Sequence, residues 1–232
     1  MSKRAIILAG GKGTRLKPYT ISLPKPLVPI GETPILEIII KQLIQHEFDH
    51  ITITINHMAD IIKAFFGDGS KWNVKIDYSL EDKPLSTMGP LKLIKNLPDN
   101  FLIMNGDVLT NLNFYDFYEW HINKKNRFTI SSYLRTHKND YGVLEIDNLN
   151  KLTGFHEKPI TNFKVSMGVY IANKEILNYI PENMSYGFDD LMIELIKRKK
   201  NVNVKHFDGY WLDVGRPDDY EKACTNIDKI IC

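Results

Sequence analysis

"RAIILAGGKGTRLKPYT", residues 4–20, is the stretch on which the fold turns. Its first half is apolar and β-branched, Ala5-Ile6-Ile7-Leu8-Ala9, and stops at glycine, so a buried strand is predicted over 4–9. Its second half sets Gly10, Gly11 and Gly13 among Lys12, Arg15 and Lys17. Glycines let backbone N–H groups come close to an anion, and a neighbouring basic side chain neutralises it. A plain tight turn after a strand is the competing reading. No Gly-Lys-Ser/Thr follows, and Leu16 stands at the third glycine position of a dinucleotide fingerprint, so neither of those motifs is present.

Working outward, strands and helices alternate through residue 125. Thr33 is placed to cap, and Pro34 to open, a helix over 33–46 with apolar residues at 35, 36, 39, 40, 43 and 44. Strands are expected at 50–55, 74–80 and 101–108, the last breaking at Asn105-Gly106-Asp107. Helices are expected at 58–70, ended by Gly67, and at 114–124. This order predicts an α/β fold with a Rossmann-like, mainly parallel sheet flanked by helices. Ligands of such sheets sit at the carboxyl ends of the strands, where both "AGGKGTR" and "NGD" fall.

After residue 125 the texture changes to strands with short connections, then a helix at 189–200, a strand "NVNVKHF" and a last helix from Pro217 packing back on the body. The expectation is one continuous domain over 1–232, with a nucleotide-binding part at 1–125. An added mixed-sheet part at 126–232 would take the second substrate.

The bulk numbers narrow the function. The chain has 232 residues, 43% hydrophobic, and a net charge of only +2, which gives no reason to expect nucleic-acid binding. Cys224 and Cys232 make no CxxC pattern and fit a reducing compartment. The N-terminal apolar run is too short for a signal peptide, and no run approaches a membrane span. A soluble cytoplasmic protein, with no membrane partner, is expected. The apolar helix faces suit either core or a homodimer interface.

A second feature is "LPKPLVPIGETPIL", 23–36, where two prolines stiffen the backbone around Lys25. A lysine fixed in this way can meet a phosphate as a point charge, or it is a solvated loop residue. Together, "GGKGTRLKPYT" and "PKPLVPIG.TPIL" closely resemble the signature of the sugar-1-phosphate nucleotidylyltransferases. "EDKPLSTMGPL", "NGDV", "YGVLEID", "FHEKP", "VSMGVYI" and "GYWLDVGRPDDYEKA" continue the resemblance in family order along nearly the whole chain. Within the family the chain resembles the short mannose-1-phosphate guanylyltransferase-like members.

The resemblance implies joining a nucleoside triphosphate to a sugar 1-phosphate, with pyrophosphate leaving in line and Mg²⁺ as cofactor. No covalent enzyme intermediate forms, so catalysis should be positioning plus charge neutralisation. Leu8, Ala9, Gly10, Gly11, Gly13 and Thr14 match the loop that wraps the triphosphate. Arg15 matches the arginine on the β/γ-phosphates, where a planar fork of donors suits paired oxygens. Lys25 matches the lysine near the reacting centre. Asp107 and Asp213 match the two magnesium ligands; read alone, they are a turn residue and a cap. Glu81, Ser86 and Thr87 fall in the nucleobase segment, where a carboxylate acceptor suits the N1–H and amino group of guanine. Asp77 and Asp82 are read as solvated. Gly142, Glu157, Lys158 and Ser166 match the sugar-phosphate side, with a surface ion pair as the plain reading of Glu157 and Lys158. Tyr141 is either core or pocket wall.

Two departures bear on substrate choice. Ser86 stands where many members have a glycine against the base, and Ser166-Met167-Gly168 replaces a common Asn-Ala-Gly. The 232 residues hold no hexapeptide repeats, so acetyltransferase activity is not expected. GTP with a hexose or heptose 1-phosphate is the favoured pair, with UTP, dTTP or CTP and glucose 1-phosphate as the alternative. A non-catalytic regulatory subunit would be expected to have lost one of Arg15, Lys25, Asp107 or Asp213, and all four are present.

Overall fold

The computed structural model describes residues 2–230. The first strand, β1 (Arg4–Leu8), forms as its apolar run requires and lies in the middle of a seven-stranded sheet. Two short strands, β2 (Pro29–Ile30) and β3 (Thr33–Pro34), pair with each other ahead of helix α1 (Ile35–Gln45). Thr33 therefore does not cap α1. Pro34 is itself the cap residue, and the Ile35 amide donates to the Val28 carbonyl at 3.1 Å, tying the helix entry to the preceding loop. The apolar positions 35, 36, 39, 40 and 43 of α1 are all fully buried, so this face is core.

Strand β4 (His50–Ile55), helix α2 (Ala59–Phe66), strand β5 (Lys75–Leu80) and strand β6 (Asn100–Asn105) complete the first half. Helix α2 stops at Gly67, as its sequence predicts, and Ser70–Trp72 form a separate 3₁₀ turn. Strands β1, β4, β5 and β6 are mutually parallel. Next come β7 (Val108–Thr110), α3 (Phe114–Asn123), β8 (Phe128–Lys138), β9 (Val143–Ile146), β10 (Leu152–His156) and β11 (Ile160–Asn173). Helix α4 (Phe188–Lys197), β12 (Val202–Phe207), β13 (Trp211–Asp213) and α5 (Pro217–Thr225) end the described chain.

The sheet order is β12-β8-β11-β6-β1-β4-β5. Only β11 runs against the others, pairing antiparallel with β6 and β8. The later strands thus extend the first half's sheet and make it mixed. One apolar cluster, built on α1, α2 and α3, covers one face, and a second, built on α4 and Met88–Ile94, covers the other. No helix among the described residues is long and apolar enough to cross a membrane. Helix α5 returns to the first half, where the Tyr220 ring lies 4.4 Å from that of Tyr19 in the glycine loop.

One buried polar cluster carries a stability prediction. His121 Nε2 lies 3.1 Å from Asn100 Oδ1, which can only accept, so Nε2 holds the proton and Nδ1 accepts from Thr129 Oγ1 at 2.8 Å. Burial pushes the His121 pKa down to about 4. The unfolded chain therefore binds a proton here between its ordinary pKa of about 6.5 and about 4, while the folded chain does not. This part of the stability is complete above pH 6.5 and is lost as the pH falls toward 4. It should amount to about 2–3 kcal/mol between pH 7 and pH 4.5. Urea denaturation at the two pH values should show a smaller difference in His121→Gln than in the wild type.

Candidate active site

The glycine loop leaves β1 at the carboxyl edge of the sheet, and the Ala9 amide donates to Thr54 O at 3.0 Å. Fully buried Leu16 pins its 3₁₀ turn, Thr14–Leu16, and Thr20 Oγ1 donates to Gly13 O at 2.8 Å. Gly13 is left-handed with φ +61°, a conformation that favours glycine. Arg15 makes no hydrogen bond or ion pair among the described residues and faces the cleft with all its donors free.

Two clefts meet at this loop. One, about 240 Å³, is lined by Leu8, Ala9, Gly11, Gly13, Thr14, Arg15, Lys25 and Asp107. The other, about 470 Å³, is lined by Leu8, Gly10, Gly11, Lys12, Asn56, Glu81, Ser86, Thr87 and Asp107. Leu8, Gly11 and Asp107 belong to both, so an extended molecule can run from one into the other.

The break at Asn105-Gly106-Asp107 has a consequence that the strand pattern does not reveal. Strand β7 leaves the main sheet and pairs antiparallel with β13, opposing Val108 to Asp213. The Val214 amide donates to Asp107 O at 3.0 Å. Two aspartates 106 positions apart are thereby brought to one place. Lys25 Nζ, held at the start of a 3₁₀ turn after Pro24, is ion-paired with Asp107 Oδ2. The other oxygen, Asp107 Oδ1, is buried with no hydrogen-bond partner. Surrounding protein and the Asp107 carboxylate hold Asp213 above the usual carboxylate pKa range, against Lys25 and Arg15.

An orphaned carboxylate oxygen beside a second carboxylate fits a hard divalent cation. Such a cation takes one or two protein carboxylates and completes its shell with water and phosphate. No group of three or more His, Cys, Asp or Glu side chains placed to hold a metal ion occurs among the described residues.

Glu81 is buried, and burial raises its pKa. Its Oε2 accepts from the Leu85 amide at 3.2 Å. Its Oε1 lies under Gly10, where an added Cβ would stand 2.7 Å away. Gly10→Ala should therefore keep the fold but push Glu81 and the loop apart. A calorimetric titration should read a roughly tenfold weaker triphosphate, the cost of about 1–3 kcal/mol expected for overpacking. Ser86 has φ +64°, so it adopts the left-handed backbone that a glycine would take more readily. Its neighbour Thr87 accepts from the Phe188 amide at 2.8 Å, fastening this segment to α4.

The sugar-side candidates do not line these clefts. Ser166 sits at a bulge in β11 with its hydroxyl 3.0 Å from Tyr170 OH. The following Gly168, φ +76°, lies against Asn105, where a Cβ would be 2.7 Å from Nδ2. Gly142, Glu157 and Lys158 flank the open end of the exposed β9–β10 hairpin, opposite its tip. Glu157 and Lys158 make no ion pair with each other among the described residues. Tyr141 is not core but strongly exposed. Asp77, read from sequence as solvated, instead accepts from His50 Nε2 at 2.5 Å and lies 3.8 Å from Arg4 Nη2.

Sequence reasoning misses a third cleft, about 570 Å³, beyond Arg15 and Asp213, lined by Tyr133, Arg135, Trp211 and Arg216 among others. It also misses Asn56, whose only signal is its position just after β4 at the ligand edge of the sheet.

The family described as Nucleotidyl transferase matches residues 4–230, and the chain belongs to that family. It is 32% identical to the UTP–glucose-1-phosphate uridylyltransferase of Synechocystis, over 97% of this chain and 63% of that protein. It is 31% identical to the mannose-1-phosphate guanyltransferase of Aspergillus oryzae, over 94% of this chain and 62% of that protein. The chain thus spans a little under two thirds of the length of these curated relatives. Among solved structures, HddC from Yersinia pseudotuberculosis, complexed with GMP-PN, superposes with a TM-score of 0.73 at 28% identity. That alignment covers 97% of this chain and 99% of HddC.

Proposed function

We propose that the protein transfers a nucleoside monophosphate from a triphosphate, GTP by preference, to a hexose or heptose 1-phosphate, releasing pyrophosphate. The observation that carries this is the meeting of Asp107, Asp213 and Lys25 beside a glycine loop with a free arginine. The sugar phosphate oxygen attacks the α-phosphorus, and the bond to the pyrophosphate oxygen breaks in line. Backbone amides of Gly10–Thr14 hold the triphosphate, and Lys25 turns from Asp107 toward the phosphates. Arg15 takes the charge that builds on the leaving pyrophosphate. Asp107 and Asp213 would hold Mg²⁺, whose chemistry is to neutralise phosphate charge and align the two substrates. The base lies in the cleft of Glu81, Ser86 and Thr87. The sugar is met by Gly142, Glu157, Lys158 and Ser166.

Residues 1–232 are read as one nucleotidyltransferase domain, 1–125 for the nucleotide and 126–232 for the sugar. It works in the cytoplasm, without nucleic-acid or membrane partners. GTP is favoured by the acceptor-only carboxylate of Glu81 in the base cleft, and by the nucleotide named in the HddC complex. The name of the Synechocystis relative supports a second reading, UTP with glucose 1-phosphate. Calorimetric titration with GTP, UTP, dTTP, CTP and ATP separates them. GTP should bind at least about tenfold more tightly than the others, because a mismatched base leaves buried polar groups unpaired. Tightest binding of UTP would transfer the assignment to the second reading.

A further inference from the structure

The third cleft, about 570 Å³, opens beyond Arg15 and Asp213. Arg15 and Gly215 line both it and the first cleft, just as Leu8, Gly11 and Asp107 line both the first cleft and the base cleft. The three clefts therefore form a series, with Lys25 and Asp107 in the middle one. Gly215 marks the passage onward. A Cβ there would stand 3.8 Å from Arg15 Nη2 and 3.6 Å from Asp213 Oδ1, so the glycine leaves the space between guanidinium and carboxylate open.

The walls of the third cleft carry unspent positive charge. Arg15, Arg135, Arg216 and Lys222 line it, and none of these side chains makes a hydrogen bond or ion pair among the described residues. Three carboxylates share the cleft, but two have other tasks. Asp213 belongs to the proposed cation site, and Asp219 Oδ2 accepts from the Arg216 amide at 3.0 Å, fixing the entry to α5. Arg135 stands two residues after Tyr133 in β8. Both are in unbroken register with β11, opposite Phe163 and Val165, so they share a face. The Tyr133 ring packs 5.3 Å from that of Trp211, and Trp211 Nε1 donates to Met167 O at 3.0 Å. This aromatic pair gives Arg135 a fixed base on one side of the cleft, and α5 presents Arg216 on the other.

Displacement in line sends the leaving group away from the attacking oxygen. The sugar-side Gly168 lies against Asn105, and Asn105 lines the base cleft but not the third cleft. The acceptor side and the third cleft thus adjoin the middle cleft through different residues. We propose that the third cleft receives the leaving pyrophosphate, and that Arg135 and Arg216 hold it once it has passed Arg15. This rests on the function proposed above, which supplies the anion. Two guanidinium forks suit the paired oxygens of a diphosphate, and Lys222 adds a point charge. Pyrophosphate can then depart past Arg216 while the sugar nucleotide remains in the other two clefts.

The test is calorimetric titration of the whole chain with Mg²⁺ and inorganic pyrophosphate, a probe that carries neither base nor sugar. Arg135→Gln and Arg216→Gln should each weaken pyrophosphate roughly tenfold, the factor expected for loss of a hydrogen bond to a charged group. Both side chains are exposed and unpaired, so the far-UV spectrum should not change. In assays of nucleotide-sugar formation, inhibition by added pyrophosphate should weaken by the same factor, with the KM for sugar 1-phosphate unaltered. A wild type that binds no pyrophosphate overturns the site, as does unaltered binding in both variants. A raised sugar KM with unaltered pyrophosphate binding would give the cleft to the acceptor and overturn the proposal equally. Weakened pyrophosphate binding in both variants, with no sugar 1-phosphate turned over by the wild type, would uphold the anion site and count against the reaction alone.

Discussion

Asp213→Asn is expected to keep the fold and lower Mg²⁺-dependent turnover by roughly 10²–10³-fold, the range seen when one preorganised charge-stabilising group is removed. The change keeps the size and shape of the side chain, so β13 should still pair with β7. What it removes is a carboxylate whose pKa is raised by burial first and by its place beside Asp107 second. The variant should therefore be at least as stable to heat as the wild type in the absence of metal. The opposed outcomes, activity down and stability level or up, mark a charge pair kept for ligand binding and separate it from a structural one. Stopped-time pyrophosphate release and a thermal melt read the two quantities. Unchanged turnover would remove Asp213 from the reacting centre.

Lys25→Gln should cost a similar factor in turnover, again roughly 10²–10³-fold, because it removes a positive charge from the place where phosphate charge develops. Its effect on stability should have the opposite sign to that of Asp213→Asn. Lys25 is the ion-pair partner of Asp107, and the two side chains are 12% and 23% exposed. Removing one leaves the other only partly hydrated, at a cost of about 1–2 kcal/mol after allowing for solvent screening. Added Mg²⁺ should recover more thermal stability in Lys25→Gln than in the wild type, since the ion supplies the charge that Asp107 has lost. Equal Mg²⁺ shifts in both would argue that Asp107 does not meet the ion.

The features legible in the sequence are the local ones. An apolar β-branched run ending in glycines states a buried strand and the loop after it, and it does so wherever the chain puts them. The alternation of strand and helix through residue 125 is enough for a parallel sheet, and hence for an edge where Gly10–Arg15 and Asp107 would meet. Pairing between distant segments is not legible. Nothing in "NGDVLT" says that Val108–Thr110 leaves the main sheet, and nothing in "WLDVG" says that Asp213 lands opposite Val108. Family resemblance suggests that these two carboxylates belong together, and the β7–β13 pair is the physical means.

Thr33 and Pro34 show the same limit at short range. Their types suit a cap and a first helical turn, but the β2–β3 pair takes their backbone and moves the start of the helix to Ile35. The serine at 86 does not itself signal a left-handed backbone, which it rarely adopts; the glycine that many members carry there is the one hint. The apolar face of the β9–β10 hairpin is hidden for another reason. Leu152 and Phe155 are out of step for a regular strand, and only the bulge brings them to one side.

If the paired aspartates and the glycine loop serve one transfer reaction, the most direct measurement is pyrophosphate release with Mg²⁺. It would cross GTP, UTP, dTTP, CTP and ATP against glucose, mannose, glucosamine and heptose 1-phosphates. Release should need both substrates, be greatest with GTP, and disappear in Asp107→Asn. Release from a triphosphate alone, or release that survives Asp107→Asn, would contradict a shared reacting centre.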